Sequence, residues 1–194
     1  IVALGASITN GGAATIGANR RWPDHLAARL AGSTDPDYGV VNAGISGNRL
    51  LLDASYPKTR IYSIAGRSAL TRFAADVLDR AGVRTVIILI GINDIMQEPR
   101  QKDPARLTAG LTQLAARARA RGLRVVVATV TPFKGWPSYT PQSEQVRQAV
   151  NTWIRARGGG AFDAVADFDL ATRDPADRAQ LRRDLHGGDY LHPN

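Results

Sequence analysis

Four short stretches of this 194-residue chain hold the side chains that can do chemistry. Gly5-Ala6-Ser7-Ile8-Thr9 carries a serine just after an apolar run, and Asn42-Ala43-Gly44-Ile45-Ser46-Gly47-Asn48 is a glycine-rich turn. Gly91-Ile92-Asn93-Asp94 offers an amide and a carboxylate. Asp189-Tyr190-Leu191-His192-Pro193-Asn194 sets a carboxylate three positions before an imidazole. A serine hydroxyl is a weak nucleophile until a neighbouring imidazole takes its proton. The imidazole in turn needs a carboxylate at its other nitrogen, to fix its tautomer and balance the charge it gains. Asp189 and His192 are close enough along one loop for that contact, and Pro193 pushes His192 toward extended backbone. A tetrahedral intermediate also needs donors aimed at its oxyanion. The N–H groups of Ser7 and Gly44 and the Asn93 amide can supply three. Together these are the parts of an acyl-transfer site.

Such parts work only if the chain brings them to one place, and the apolar pattern says how. Short apolar runs at residues 1–4, 40–41, 86–90, 123–130 and 162–168 read as strands, the third unbroken and so buried on both faces. Helical stretches alternate with them. Trp22, Leu26 and Leu30 recur every four residues between Pro23 and Gly32, and Leu70, Phe73, Val77 and Leu78 form a second stripe closed near Gly82. Asp103-Pro104 and Thr140-Pro141 open two more helices, which Gly122 and Gly158 end. Strands alternating with single helices predict βαβ units. The expected fold is α/β: a three-layer αβα sandwich around a flavodoxin-like, doubly wound parallel sheet of about five strands, in one domain spanning 1–194. Ligands of such sheets bind outside the carboxyl ends of the strands. All four stretches are expected on that edge, although Ser7 and His192 stand at opposite ends of the chain.

Composition narrows the alternatives. Lys and Arg outnumber Asp and Glu by 25 to 17, giving +8, and the cations are 22 Arg against 3 Lys. No block of five or six basic residues appears, so the skew reads as solvated surface at Arg117, Arg119, Arg121 and Arg124 rather than a nucleic-acid site. The absence of cysteine excludes a disulfide scaffold, a zinc-thiolate site and a thiol nucleophile. No apolar run reaches the roughly 18 residues of a membrane span, and none reads as a signal peptide.

In order and in content, the four stretches resemble the blocks of the SGNH hydrolase superfamily, also called GDSL esterases and lipases. The superfamily is named for Ser, Gly, Asn and His, here Ser7, Gly44, Asn93 and His192, with Asp189 in the D-x-x-H position. The resemblance runs the length of the chain. N-A-G-I-S-G-N-R-L, G-I-N-D-I and T-P-F are similar to its acylhydrolase branch. The resemblance implies Ser7 as nucleophile, His192 as base, Asp189 as its partner, and an oxyanion hole from Ser7, Gly44 and Asn93. It also implies a carboxylic ester hydrolase without metal or organic cofactor, acting on short-chain acyl or acetyl esters, carbohydrate-linked ones included. A secreted or periplasmic setting fits the same resemblance, and nothing in it addresses oligomeric state. Two positions depart from the family: Ala6 stands where an acidic residue is usual, and Tyr190 where glycine is frequent. Family members continue past His-Pro-Asn into a last helix, so the chain is expected to be cut from a longer product.

Each feature also has a plainer reading. Ser7 between a strand and a helix suits an N-cap, Gly44 a simple turn, and Asn93 an Asx-turn. His25 reads as structural or exposed and His186, before two glycines, as loop surface. His186, Asp189 and His192 form a loose metal-ligand set without H-E-x-x-H spacing. The glycine turns lack any phosphate-binding pattern, which weighs against a flavodoxin-like nucleotide binder. Asn48, Arg49, Tyr56 and Tyr62 in loop 45–66, and Phe133, Trp136 and Tyr139 in loop 131–140, are expected either to shape substrate choice or to pack the loops. A non-catalytic carbohydrate- or polyanion-binding module on a decayed hydrolase fold is the alternative that Ala6 and the basic surface suggest.

Overall fold

The computed structural model describes residues 1–33, 38–54 and 65–193. Tyr56, Tyr62 and Asn194 lie outside them. Five parallel strands, β1 (Val2–Gly5), β2 (Val41–Gly44), β3 (Thr85–Leu89), β4 (Arg124–Ala128) and β5 (Ala164–Ala166), stand in the order β2-β1-β3-β4-β5. The register sets Gly5 beside Gly44 on one side and beside Leu89 on the other. Three strands therefore end level with one another. The chain runs from β1 to one neighbour and then crosses back to the other, so a crevice opens at the carboxyl ends of β1 and β3.

Among the described residues, seven α-helices surround the sheet. They are α1 (Ser7–Asn10), α2 (Trp22–Ala31), α3 (Ala69–Phe73, continued by a wider π turn through Ala74–Leu78), α4 (Ile92–Met96), α5 (Pro104–Arg119), α6 (Pro141–Arg155) and α7 (Phe168–Thr172). Asp103 and Thr140 cap α5 and α6, each followed by proline at the first helical position. Leu107, Leu111, Leu114 and Ala118 of α5 meet Val146, Val150 and Ile154 of α6 in the core over one face of the sheet. Right-handed crossovers put α2 on the other face, where Trp22 meets Phe168 of α7 edge-on. Among the described residues, no helix is long and apolar enough to cross a membrane.

Three differences from the expected elements have local causes. β4 stops at Ala128 rather than at residue 130 because side chains take the Val130 backbone. Its N–H donates to Asn151 Oδ1, and its carbonyl accepts from Asn151 Nδ2 and Arg147 Nη1, each at 2.8 Å. β5 ends at Ala166 because Asp167 caps α7, accepting from the Leu170 N–H. The short helices α1, α4 and α7 span about one turn each, too short to show a period in the sequence.

A buried ionic network braces the β4–α6 connection. Arg147, fully buried, donates to Asp169 at 2.6 Å and to Glu144, while Asp169 also pairs with Arg155 and Arg173. Removing one partner of a buried pair strands the other. Arg147→Leu is therefore expected to cost about 3 kcal/mol, read as a fall in the urea midpoint; an unchanged midpoint would count against the bracing role.

Candidate active site

Ser7 begins α1 directly after β1, with Ala6 as the cap and no side-chain capping bond. Its hydroxyl is thus not engaged as an N-cap. Ser7 Oγ lies 2.8 Å from His192 Nε2, and His192 Nδ1 lies 2.6 Å from Asp189 Oδ2. Asp189 Oδ1 accepts from the N–H groups of Leu191 and His192, both at 3.0 Å. Burial pushes the Asp189 carboxyl up, but those two N–H groups and the His192 ring outweigh it and hold it below the usual carboxylate range. The loop thereby keeps a carboxylate ionised against the imidazole. Trp136 meets the His192 ring edge-on, with centroids 5.9 Å apart. A Cβ on Gly12 would fall 3.2 Å from both Ser7 Cβ and His192 Cδ2, so a side chain there would press on this pair.

The other two expected residues are close by but differently engaged. Asn93, almost wholly buried at the start of α4, accepts from Gln97 Nε2 at 2.7 Å and donates through Nδ2 to the Asn48 carbonyl at 2.9 Å. That fixes the amide's orientation and leaves its second Nδ2 hydrogen; no Asx-turn forms. Gly44 ends β2 against α1, where a Cβ would fall 2.8 Å from the Thr9 carbonyl carbon and closer still to the Asn10 nitrogen. Its N–H donates to Asn42 Oδ1 at 2.9 Å, and Asn42 Nδ2 donates to the Thr9 carbonyl. Gly44 therefore seats the serine-bearing turn on β2.

Several polar residues behind the site escaped the sequence reading. The buried Arg72 guanidinium donates to the carbonyls of Gly5 and Ala43 at 2.9 and 2.8 Å, to Asn48 Oδ1, and to Asp76. Burial pulls its pKa down while Asp76 works against that. An Arg/Asp pair four apart on a helix reads as a solvated surface pair, so no sequence signal marked it. Asp94 is buried too. Its two oxygens accept from the N–H groups of Leu50 and Leu51 at 2.7 and 3.0 Å, tying the second loop to the third. Asn48 and Arg49 are likewise buried rather than facing a substrate. Asn48 holds the carbonyls of Ala65 and Arg67, and Arg49 those of Glu98 and Pro99.

Other expectations change as well. Phe133 is fully buried and stacks edge-on with Tyr139, so of the loop aromatics it is Trp136 that approaches His192. Arg117 donates to the Leu70 carbonyl and covers the Phe73 ring, while Arg119 bonds Gly160 and Asp163. Arg117 is half-buried, while Arg119, Arg121 and Arg124 are exposed, as expected of solvated surface. His25 is exposed, whereas His186 is buried with its Nδ1 taking two backbone N–H groups. Among the described residues, no three His, Asp or Glu side chains are arranged to hold a metal. Ala6 lies beside a cavity of about 10 Å³ that also touches Ile8, Ile92 and Thr131. Among the described residues, nothing pairs with the Thr131 hydroxyl.

Comparison with known proteins identifies the family and the fold. Residues 3–194 match the GDSL-like Lipase/Acylhydrolase family. The chain belongs to that family. As a GDSL-like acylhydrolase it is a carboxylic ester hydrolase. Curated proteins yield no match to its sequence. Solved structures share the fold. A GDSL-like lipase from Bacteroides thetaiotaomicron is 20% identical with a TM-score of 0.72, over 100% of this chain and 78% of that one. A carbohydrate acetylesterase from Sinorhizobium meliloti is 17% identical with a TM-score of 0.73, over 99% and 89%. An aryl esterase from M. smegmatis is 17% identical with a TM-score of 0.73, over 100% and 89%.

Asp94 gives this GDSL-like hydrolase a particular pH signature. Burial pushes its carboxyl up to about 6, against the pull of the Leu50 and Leu51 N–H groups and Arg49. A raised folded-state pKa means the folded chain binds the extra proton, so Asp94 contributes stability at low pH that is lost as pH rises through about 6. Relative to Asp94→Asn, the wild type should gain roughly 2–3 kcal/mol as pH falls from 7 to 4. Urea melts across that range test this, and a difference that shrinks on acidification would contradict it.

Proposed function

We propose that Ser7 is the nucleophile of this ester hydrolase and carries the acyl group as an acyl-enzyme. The observation that carries this reading is the unbroken run from Ser7 Oγ through His192 to Asp189, at 2.8 and 2.6 Å. With its proton on Nδ1, facing Asp189, neutral His192 presents Nε2 to the serine hydroxyl. As Oγ bonds to the ester carbonyl carbon, the hydroxyl proton passes to Nε2 and the carbonyl electron pair moves onto oxygen. Collapse of that oxyanion expels the alcohol, which takes the proton from Nε2. Water then attacks the acyl-enzyme, with His192 accepting its proton and returning it to Ser7 as the acid departs. Asp189 remains a carboxylate throughout and balances the imidazolium.

The oxyanion hole in this reading comprises the Ser7 N–H, the remaining Nδ2 hydrogen of Asn93 and the Gly44 N–H. The last enters when Asn42 Oδ1 shares or yields it. The scheme requires no metal and no organic cofactor, and residues 1–194 supply all of it as one domain. Short acyl or acetyl esters, carbohydrate-linked ones included, are the proposed substrates. The fold likeness to a carbohydrate acetylesterase supports that choice.

Hydrolysis of a short p-nitrophenyl ester should fall about 10⁴-fold in Ser7→Ala and in His192→Ala, and about 10²- to 10³-fold in Asn93→Ala. A serine-directed phosphonate should inactivate the enzyme and a chelator should not. Undiminished turnover by Ser7→Ala would exclude the mechanism. For the substrate, rates along an acyl-chain series with acetylated xylan included should peak at the shortest chains. A maximum at long chains would overturn that part of the reading.

A further inference from the structure

Of the two imidazoles in the last loop, the proposed mechanism uses one. The other, His186, is only 8% exposed. Its Nδ1 accepts from the Gly188 N–H at 3.0 Å and from the Tyr190 N–H at 3.3 Å. A ring nitrogen facing two donors carries no proton, so the neutral ring bears it on Nε2. Among the described residues, nothing pairs with that nitrogen. A buried imidazole is thus held for what its Nδ1 does.

What Nδ1 does is close the turn in which Asp189 sits. Residues 187 and 188 are both glycine and have no side chain to anchor themselves. Tyr190 follows at φ 61°, a left-handed conformation that a residue with a Cβ adopts only when its surroundings impose it. The surroundings do impose it. The Tyr190 ring lies against His186 with centroids 4.5 Å apart. It also covers Gly135, where a Cβ would fall 2.9 Å from Tyr190 Cβ. The next residue, Trp136, touches the His192 ring. Asp189 Oδ1 ties down the second half of the turn through Leu191 and His192; His186 Nδ1 ties down the first.

We propose that His186 is a positioning residue: by accepting the Gly188 and Tyr190 N–H groups it fixes the 187–190 turn, so that Asp189 presents His192 to Ser7 at reacting distance. The inference rests on the Ser7–His192 reading above. Displacing a general base by a fraction of an ångström slows chemistry while leaving ester binding in place.

The test uses the whole chain and a short p-nitrophenyl ester. His186→Phe keeps a ring and removes the acceptor, whereas His186→Asn places an oxygen near the Nδ1 position. The expected result is a kcat loss of at least about tenfold in His186→Phe with KM changed less than about twofold, and recovery of most of that loss in His186→Asn. Wild-type kcat in His186→Phe overturns the proposal, and so does an Asn variant no better than Phe. Should His186→Phe fail to fold, ¹⁵N NMR of the wild type decides. The Nε2–H tautomer with an unprotonated Nδ1 supports the assignment, and an Nδ1–H tautomer overturns it. Ser7→Ala run in parallel separates the two layers. If it is inactive while His186→Phe is fully active, only the positioning role fails; if it is fully active, the hydrolase mechanism itself fails.

Discussion

Arg72 donates to the carbonyls of Gly5 and Ala43 and to the side chain of Asn48, and each of these groups belongs to a segment that the site needs. Gly5 precedes the Ser7 turn, Ala43 precedes Gly44, and the Asn48 carbonyl receives the Asn93 amide. One planar cation thus ties the first loop to the second directly, and reaches the third through Asn48, whose carbonyl accepts from Asn93. Its geometry suits the task, since a guanidinium offers five donors in a rigid fork. The parallel register brings the strand ends level, but hydrogen bonds of the ladder stop where the loops begin. Beyond that edge, buried polar side chains take over the work of the sheet.

A division of labour follows. On the side of β2 and β3, Arg72, Asn48, Asp94 and Gln97 lock the loops that carry Gly44 and Asn93, through side-chain amides and backbone groups alike. On the side of β4 and β5, Arg147 and Asn151 fix the Val130 backbone, from which the loop bearing Trp136 departs. The imidazole lies between these two braced regions. Ala6 fits this picture. The braces run around it rather than through it, so a small apolar residue there leaves the path from Ser7 to Asp189 intact.

Much of this architecture was legible in the sequence. Ser7, Gly44 and Asn93 each stand a few positions beyond a short apolar run, and run length alone locates the ends of buried strands. Proline after Asp103 and after Thr140 marked two helix starts to the residue. What stayed hidden shares one physical cause. Arg72, Arg147 and His186 each bond backbone groups distant in sequence or hidden in a turn, the two arginines alongside carboxylates, and backbone groups carry no side-chain signal. Asn48 and Arg49 looked like substrate contacts because they are polar in a loop, yet both are inside. The helix α4 has no visible period because it spans little more than a turn and every residue in it is buried.

Ser7 and His192 are separated by 185 positions, and the bond between them closes nearly the whole chain into a ring. Such a contact has no local precursor: its loop-closure entropy can be met only after the intervening parallel strands have found their places. Under the proposed mechanism the relay would therefore assemble only once the sheet is in place, and a partly folded chain, however rich in helix, would not turn over an ester. Recovery of hydrolysis on refolding would lag behind recovery of far-ultraviolet dichroism. In this fold, catalytic competence is itself a measure of topological completion.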